Sequence, residues 1–255
     1  MGPNTITISS SNTRPQPPQD QDEVTLATAS HQAKIPKQQE NAAAATQKTI
    51  KQTSIRSIKE IKRVGNPMHF DFEAVARESN AQTIARVVAF CRDSPEAVSH
   101  LGDGSVYHGS KLDGRPSGTG FVAVFDENDP TICEQVYLGH FSHGKASKFG
   151  YLVFDRGQGR YTGEWYDGKY HGKGLFKREW PSEEDPAKME TQFYDGQWQQ
   201  GDMSGYGMFK WPSGNIYEGE WLANRRHGQG KITDSMGRVR KQGRWQMGHF
   251  QVASQ

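Results

Sequence analysis

The stretch YTGEWYDGKYHGKG, Tyr161 to Gly174, sets tyrosine, glycine and tryptophan at fixed steps that a solvated loop has no reason to keep. Its first eight positions recur along the chain as YHGSKLDG from Tyr107, YLGHFSHG from Tyr137, YDGQWQQG from Tyr194, YEGEWLAN from Tyr217 and KQGRWQMG from Lys241. Successive starts lie 30, 24, 33, 23 and 24 residues apart, so the unit is 23 to 24 residues with two insertions. Internal repetition at such a period is the mark of a solenoid or array, in which each unit leans on its neighbours.

The residue types explain the unit. Positions 1, 3 and 5 of a strand share a face, so the opening unit presents Tyr161, Gly163 and Trp165 together. The other units present Tyr107 and Gly109, Tyr137 and Gly139, the triplets Tyr194, Gly196, Trp198 and Tyr217, Gly219, Trp221, and finally Gly243 and Trp245. A glycine inside a strand marks close approach, and a neighbouring ring is expected over the bare backbone. Position 8 is glycine except for Asn224, the other residue that readily accepts positive φ, which predicts a left-handed turn. Return strands then open on GxG pairs and carry an apolar sixteenth position: Val122, Leu152, Phe176, Phe209 and Ile232. Each unit is therefore a β-hairpin. The expected fold is mainly β, an elongated single-layer antiparallel sheet of stacked hairpins spanning 101–255.

Outside the repeats the composition changes. Residues 1–47 are rich in Gln, Ser, Thr, Pro and Ala and predict a disordered tail. Residues 48–64 place Ile55, Ile58, Ile61 and Val64 at helical spacing among lysines and arginines, a basic amphipathic segment. Short helices are predicted over 68–100, the first led by Phe72, Val75 and Ala76. A second carries the stripe Ile84, Val87, Val88 and Cys91, and a last turn is capped by Ser94 before Pro95. These helices are expected to cap one end of the array. The charge balances of 1–65, 66–136 and 137–255 are +4, −6 and +4. That near-neutral total speaks against a nucleic-acid partner.

Cys91 and Cys133 have no metal or disulfide spacing, no run of about 18 apolar residues occurs, and a cytoplasmic protein without metal or cofactor is expected. The GxG pairs follow the repeat period rather than opening helices, which argues against phosphate loops. His171 and His227 share a position that Ser117, Ser147 and Ser204 also fill, poor behaviour for a base or ligand. His140 and His143 lack a third ligand. Glu164 and Glu220 are expected to pair across strands with local lysines. Lys145, Lys169, Lys173, Arg225 and Arg226 adjoin turns and form a candidate basic rim for acidic partners or anionic lipid, or merely a solubilising edge. The tyrosine and tryptophan positions read either as a peptide groove or as the rings that hold the stack together. The acidic insertion at 180–190 reads as a long loop and a candidate contact.

The pattern YxGxWxxGxxxGxG resembles the MORN repeat (membrane occupation and recognition nexus) over roughly residues 100–250. Departures occur at Lys111, Phe141, Lys148 and Lys241. The resemblance implies a non-catalytic scaffold binding other proteins in a cytoskeletal assembly, with a cilium, flagellum or axoneme as the expected address. Its rival is a peripheral membrane tether holding anionic phospholipid through 48–64 and the basic rim. Self-association through end strands is a further possibility.

Overall fold

The computed structural model describes residues 78–252. The expected tail, the basic segment 48–64 and the helix led by Phe72 lie outside the described residues. Within them, thirteen strands form one antiparallel sheet in which spatial order equals chain order. The first unit comprises the short edge strand β1 (Ser99–His100), then β2 (Val106–Leu112) and β3 (Arg115–Phe125). Next come β4 (Cys133–Ser142) with β5 (Lys145–Phe154), and β6 (Gly159–Tyr166) with β7 (Lys169–Pro181). They are followed by β8 (Met189–Gln199) with β9 (Asp202–Lys210), β10 (Ile216–Leu222) with β11 (Arg225–Thr233), and β12 (Val239–Gln246) with the stub β13 (His249–Phe250).

Every hairpin turns at positions 7 and 8. Position 8 has φ between 65° and 96°, and position 7 is also left-handed at Asp113, His143, Asp167, Gln200, Ala223 and Met247, with φ from 48° to 53°. Two consecutive positive φ values define a tight turn whose twist matches that of the flanking strands. Successive turns are stitched laterally: the position-8 N–H donates to the position-10 carbonyl of the preceding unit, as in Gly168 to Ala146 and Gly201 to Tyr170, both at 2.9 Å.

The expected glycine contact is present in a stronger form. Glycines 109, 120, 139, 150, 163, 174, 196, 207, 219, 230 and 243 pair strand to strand in one unbroken row across the sheet. The ring lying on each glycine pair belongs to the same unit's own tyrosine, not to a neighbour. A Cβ placed on Gly163 would stand 2.7 Å from the Tyr161 hydroxyl oxygen and 2.5 Å from the Gly174 Cα. Each hydroxyl then donates to the position-4 carbonyl: Tyr137 to His140 and Tyr161 to Glu164 at 2.9 Å, Tyr194 to Gln197 at 2.9 Å, Tyr217 to Glu220 at 3.0 Å.

Position-5 rings stand edge-on between successive tyrosines. Trp198 meets Tyr161 at 5.6 Å and Tyr194 at 5.0 Å, and Trp221 meets Tyr194 at 5.5 Å and Tyr217 at 5.1 Å, all near perpendicular. Phe141 takes the same place between Tyr107 and Tyr137. Edge-to-face geometry is the favoured arrangement of aromatic quadrupoles. The ladder is tied to the backbone by indole N–H donors from Trp198, Trp221 and Trp245 to the carbonyls of Gly174, Gly207 and Gly230. One face of the sheet, here the front, is thus its own core.

The helix α1 (Asn80–Asp93) packs on the opposite, back face. Ser79 and Gln82 form a capping box at its start. Its stripe of Ile84, Val87, Val88 and Cys91, joined by Phe90, covers Phe121, Ala123, Val136 and Leu138. The helix sits at the N-terminal end of the array as expected, but over a face; β1 takes the edge. Ser94 differs from expectation: its side chain makes no cap bond, and its N–H closes α1 on Phe90 at 2.9 Å before the short turn Pro95–Ala97. The ends of the insertion at 180–190 are strand, Trp180 pairing with Glu190 and Pro181 with Met189, and 182–188 form the connecting loop.

Candidate interaction surface

With the repeat aromatics buried in the ladder, what remains for recognition is rims, the back face and the sheet edges. Tyr107, Tyr137, Tyr161, Tyr194 and Tyr217 are at most 1% exposed, so they line no open groove. Burial pushes all five phenols well above their ordinary range. The same cause lifts the Cys91 thiol to about 11 and the Cys133 thiol to about 12, leaving both protonated and unreactive at neutral pH.

Position 4 has a backbone task. In the third and fifth units the pairing skips two residues after the position-3 glycine, and the Glu164 carboxylate accepts the Lys173 N–H at 3.0 Å while Glu220 accepts that of Gln229 at 2.8 Å. Gln197 does the same for Tyr206 at 2.8 Å. Glu164 and Glu220 therefore hold bulges closed, contrary to the expected ion pairs with lysines. Lysines that do find a carboxylate on this face include Lys231, 2.9 Å from Glu218, and Lys177, 2.7 Å from Glu179. The bulge residue is left-handed in each of the first five units, including Lys148 with φ 56° where the others have glycine.

The five cations proposed for the rim do not form one surface. Arg226 is 1% exposed: its guanidinium lies 4.1 Å over the Trp245 ring, and Nη2 donates to the Gly248 carbonyl at 3.0 Å. It holds the last unit inside the front-face ladder and cannot meet a lipid or a partner there. A two-residue turn makes position 10 the cross-strand partner of position 5, here Trp221 with Arg226, so the inward direction was available from spacing alone. Lys145 sits at the turn, 2.5 Å from Asp167 of the next unit. Lys173 and Arg225 are exposed and Lys169 half-buried at the same edge, where Asp202 and Asp113 also lie.

Sequence reading missed position 6. Leu112, Tyr166 and Leu222 occupy it in the first, third and fifth units, and are exposed by 61%, 60% and 43% beside their turns. Two units are four strands, so these side chains stand about 19 Å apart along the rim. A groove of about 500 Å³ runs between the third and fourth units, bordered by Glu164, His171, Lys173, Gln197 and Ser204. Among the described residues no group of His, Cys, Asp and Glu is arranged to hold a metal.

A family model described as the MORN repeat matches residues 161–179, 194–216 and 217–237. The chain is a MORN-repeat protein. The matched segments are the third, fourth and fifth units, where tyrosine, glycine and tryptophan all stand in place. The first, second and sixth units depart at Lys111, Phe141, Lys148 and Lys241 and fold on the same plan. In the sixth, Phe250 supplies the missing ring, lying against Trp245 at 5.1 Å and approaching Gly243. Comparison with curated proteins found no match. MORN repeats are binding and scaffold modules for proteins or membranes.

Proposed function

We propose that this MORN-repeat protein is a non-catalytic adaptor that docks other proteins in a cytoskeletal assembly, with the cilium or flagellum as its address. The supporting observation is the rim. Its outward features are apolar side chains at a two-unit interval, while its cations are reduced by the burial of Arg226 and the Lys145–Asp167 pair. Regularly spaced apolar contacts among mixed charges suit a protein surface better than an anionic bilayer, which needs a uniform positive field.

The test is a full-length triple variant, Leu112→Asp with Tyr166→Asp and Leu222→Asp. Loss of cytoskeletal proteins that co-purify with the unmodified chain, at unchanged near-ultraviolet circular dichroism, is the expected result. Capture of the same proteins by the variant overturns the rim. Flotation with vesicles containing anionic lipid, lost at high salt, supports the membrane tether instead. The ciliary address fails if the tagged protein is missing from isolated axonemes.

A further inference from the structure

The last hairpin is unequal. β12 runs for eight residues, but β13 pairs only with its final two, Trp245 with Phe250 and Gln246 with His249, and one further bond joins the Gln251 N–H to the Arg244 carbonyl at 2.8 Å. In earlier units the return strand continues through a left-handed bulge residue to face positions 1 to 3, as Phe176, Leu175 and Gly174 face Tyr161, Thr162 and Gly163. The sixth unit has Val252 at the bulge position, a β-branched residue that resists positive φ, and it stands 82% exposed outside any strand. Among the described residues, Val239 to Gly243 therefore have no strand on their outer side. Val239 is 54% exposed, and Arg240 and Gln242 are exposed beside it.

The Arg244 bond fixes the orientation of that side. In an antiparallel strand the N–H and C=O of one residue point the same way, and alternate residues point oppositely. Arg244 bonds outward to Gln251, so the backbone groups of Gln242 also face outward while those of Gly243 face β11. Five residues cover about 17 Å, the length of an ordinary strand. Open backbone of that length is a template for strand addition.

Charge selects what is added. β12 carries Arg240, Lys241 and Arg244 and no carboxylate, and over 216–250 seven Lys/Arg stand against three Asp/Glu, a balance of +4. The three carboxylates are engaged: Glu218 with Lys231, Glu220 with the Gln229 N–H and Asp234 with Arg238. Side chains alternate, so with Trp245 on the front face Arg244 lies on the back and Lys241 on the front, its Nζ 5.9 Å from the centre of the Phe250 ring. Both faces of this edge thus present a cation. A second β12 laid alongside would set like charges opposite one another, and residues 1–65, with nine Lys/Arg against five Asp/Glu, are of the same sign.

We propose that the outer edge of β12 binds an extended acidic segment of another protein by strand addition. The segment's backbone pairs with Gln242 and its neighbours, and its Asp or Glu side chains are drawn by Arg240, Lys241 and Arg244. This edge and the turn rim are different surfaces, so either can fail while the other holds.

Fluorescence anisotropy of the full chain tests the proposal, using a labelled decapeptide that alternates Glu with Val and a counterpart with Lys for Glu. The acidic peptide should bind at least tenfold more tightly than the basic one and slow hydrogen exchange within 239–244. Gln242→Pro removes an outward N–H and no bond to β11, so it should weaken binding at least tenfold at unchanged near-ultraviolet circular dichroism. N-methylating every valine amide or every glutamate amide of the peptide leaves its charge intact, and one of the two sets should abolish binding to the unmodified protein, which keeps the test whole if the proline variant misfolds. Arg240→Glu with Arg244→Glu should turn the preference toward the basic peptide. Binding that survives both the proline and the N-methyl groups is charge attraction alone and overturns strand addition, as does failure of the acidic peptide to bind. Concentration-dependent association of the chain with itself, abolished by Gln242→Pro, assigns the edge to a second copy and overturns the acidic partner.

Discussion

At the scale of single residues, the fold rests on what is missing from eleven glycines as much as on what the aromatics supply. A methyl group at Gly174 would enter the Tyr161 ring and its hydroxyl oxygen, and the ring has no other place to go because Trp165 and Trp198 flank it. Gly174→Ala should therefore cost roughly 3 kcal/mol, seen as a lowered urea midpoint, whereas Gly104→Ala, in open space, should cost only the backbone strain of a side chain at φ 80°. The tyrosines make a pH statement too. Their folded pKa values are raised by burial, so the folded state resists ionisation; stability is complete below the unfolded value of about 10 and is lost as pH rises beyond it. Unfolding above pH 10 should coincide with a steep collective rise in phenolate absorbance, and gradual independent titration would contradict it. Much of this was legible. Period, strand face and turn position follow from spacing, but the owner of the ring over each glycine does not, since a neighbour's side chain and the unit's own both reach it.

At the scale of elements, the hairpins were legible because one pattern recurs, and α1 was legible as a helix because Ile84, Val87, Val88 and Cys91 fall on one side. Its place was not. An amphipathic stripe says that a helix must bury one side, and is silent on whether it covers the end of a sheet or its face. The difference follows from β3 and β4, whose back-face residues Phe121, Ala123, Val136 and Leu138 are apolar where later units put Thr162, Asp195 and Glu218. The candidate site was less legible than the fold. Charge at a turn marked Arg226 as a contact, but its direction depends on strand pairing rather than on charge. Arg226→Ala removes a guanidinium held against Trp245 and Gly248, and should loosen the last unit without changing affinity for anionic vesicles. Replacing Ser79 by Ala tests α1 itself. Loss of the capping box should cost about 1 kcal/mol, measured by thermal unfolding, with the front-face aromatic signal of the folded protein unchanged.

At the scale of the whole molecule, sequential strand order makes stability a local quantity passed from unit to unit. Trp165, Trp198 and Trp221 each bridge two repeat tyrosines, so removing one cuts the ladder where it stands. Trp198 lies mid-array between Tyr161 and Tyr194, and also touches Tyr170 and Phe176. Trp245 closes the far end against Tyr217, Phe250 and Arg226. Both are large buried rings whose truncation costs about 3–5 kcal/mol at the site. The consequences should nevertheless differ. Trp245→Ala should raise hydrogen exchange in β11 to β13 and leave β4 to β7 protected, because the units before the break keep all their neighbours. Trp198→Ala should split the array, lowering protection on both sides of the β7–β8 pairing and broadening or dividing the unfolding transition. Hydrogen exchange followed by mass spectrometry distinguishes the two variants. Equal loss of protection throughout the sheet in both would mean that the hairpins fold as one all-or-none body, and that neighbour-to-neighbour aromatic contact does not govern the stability of this array.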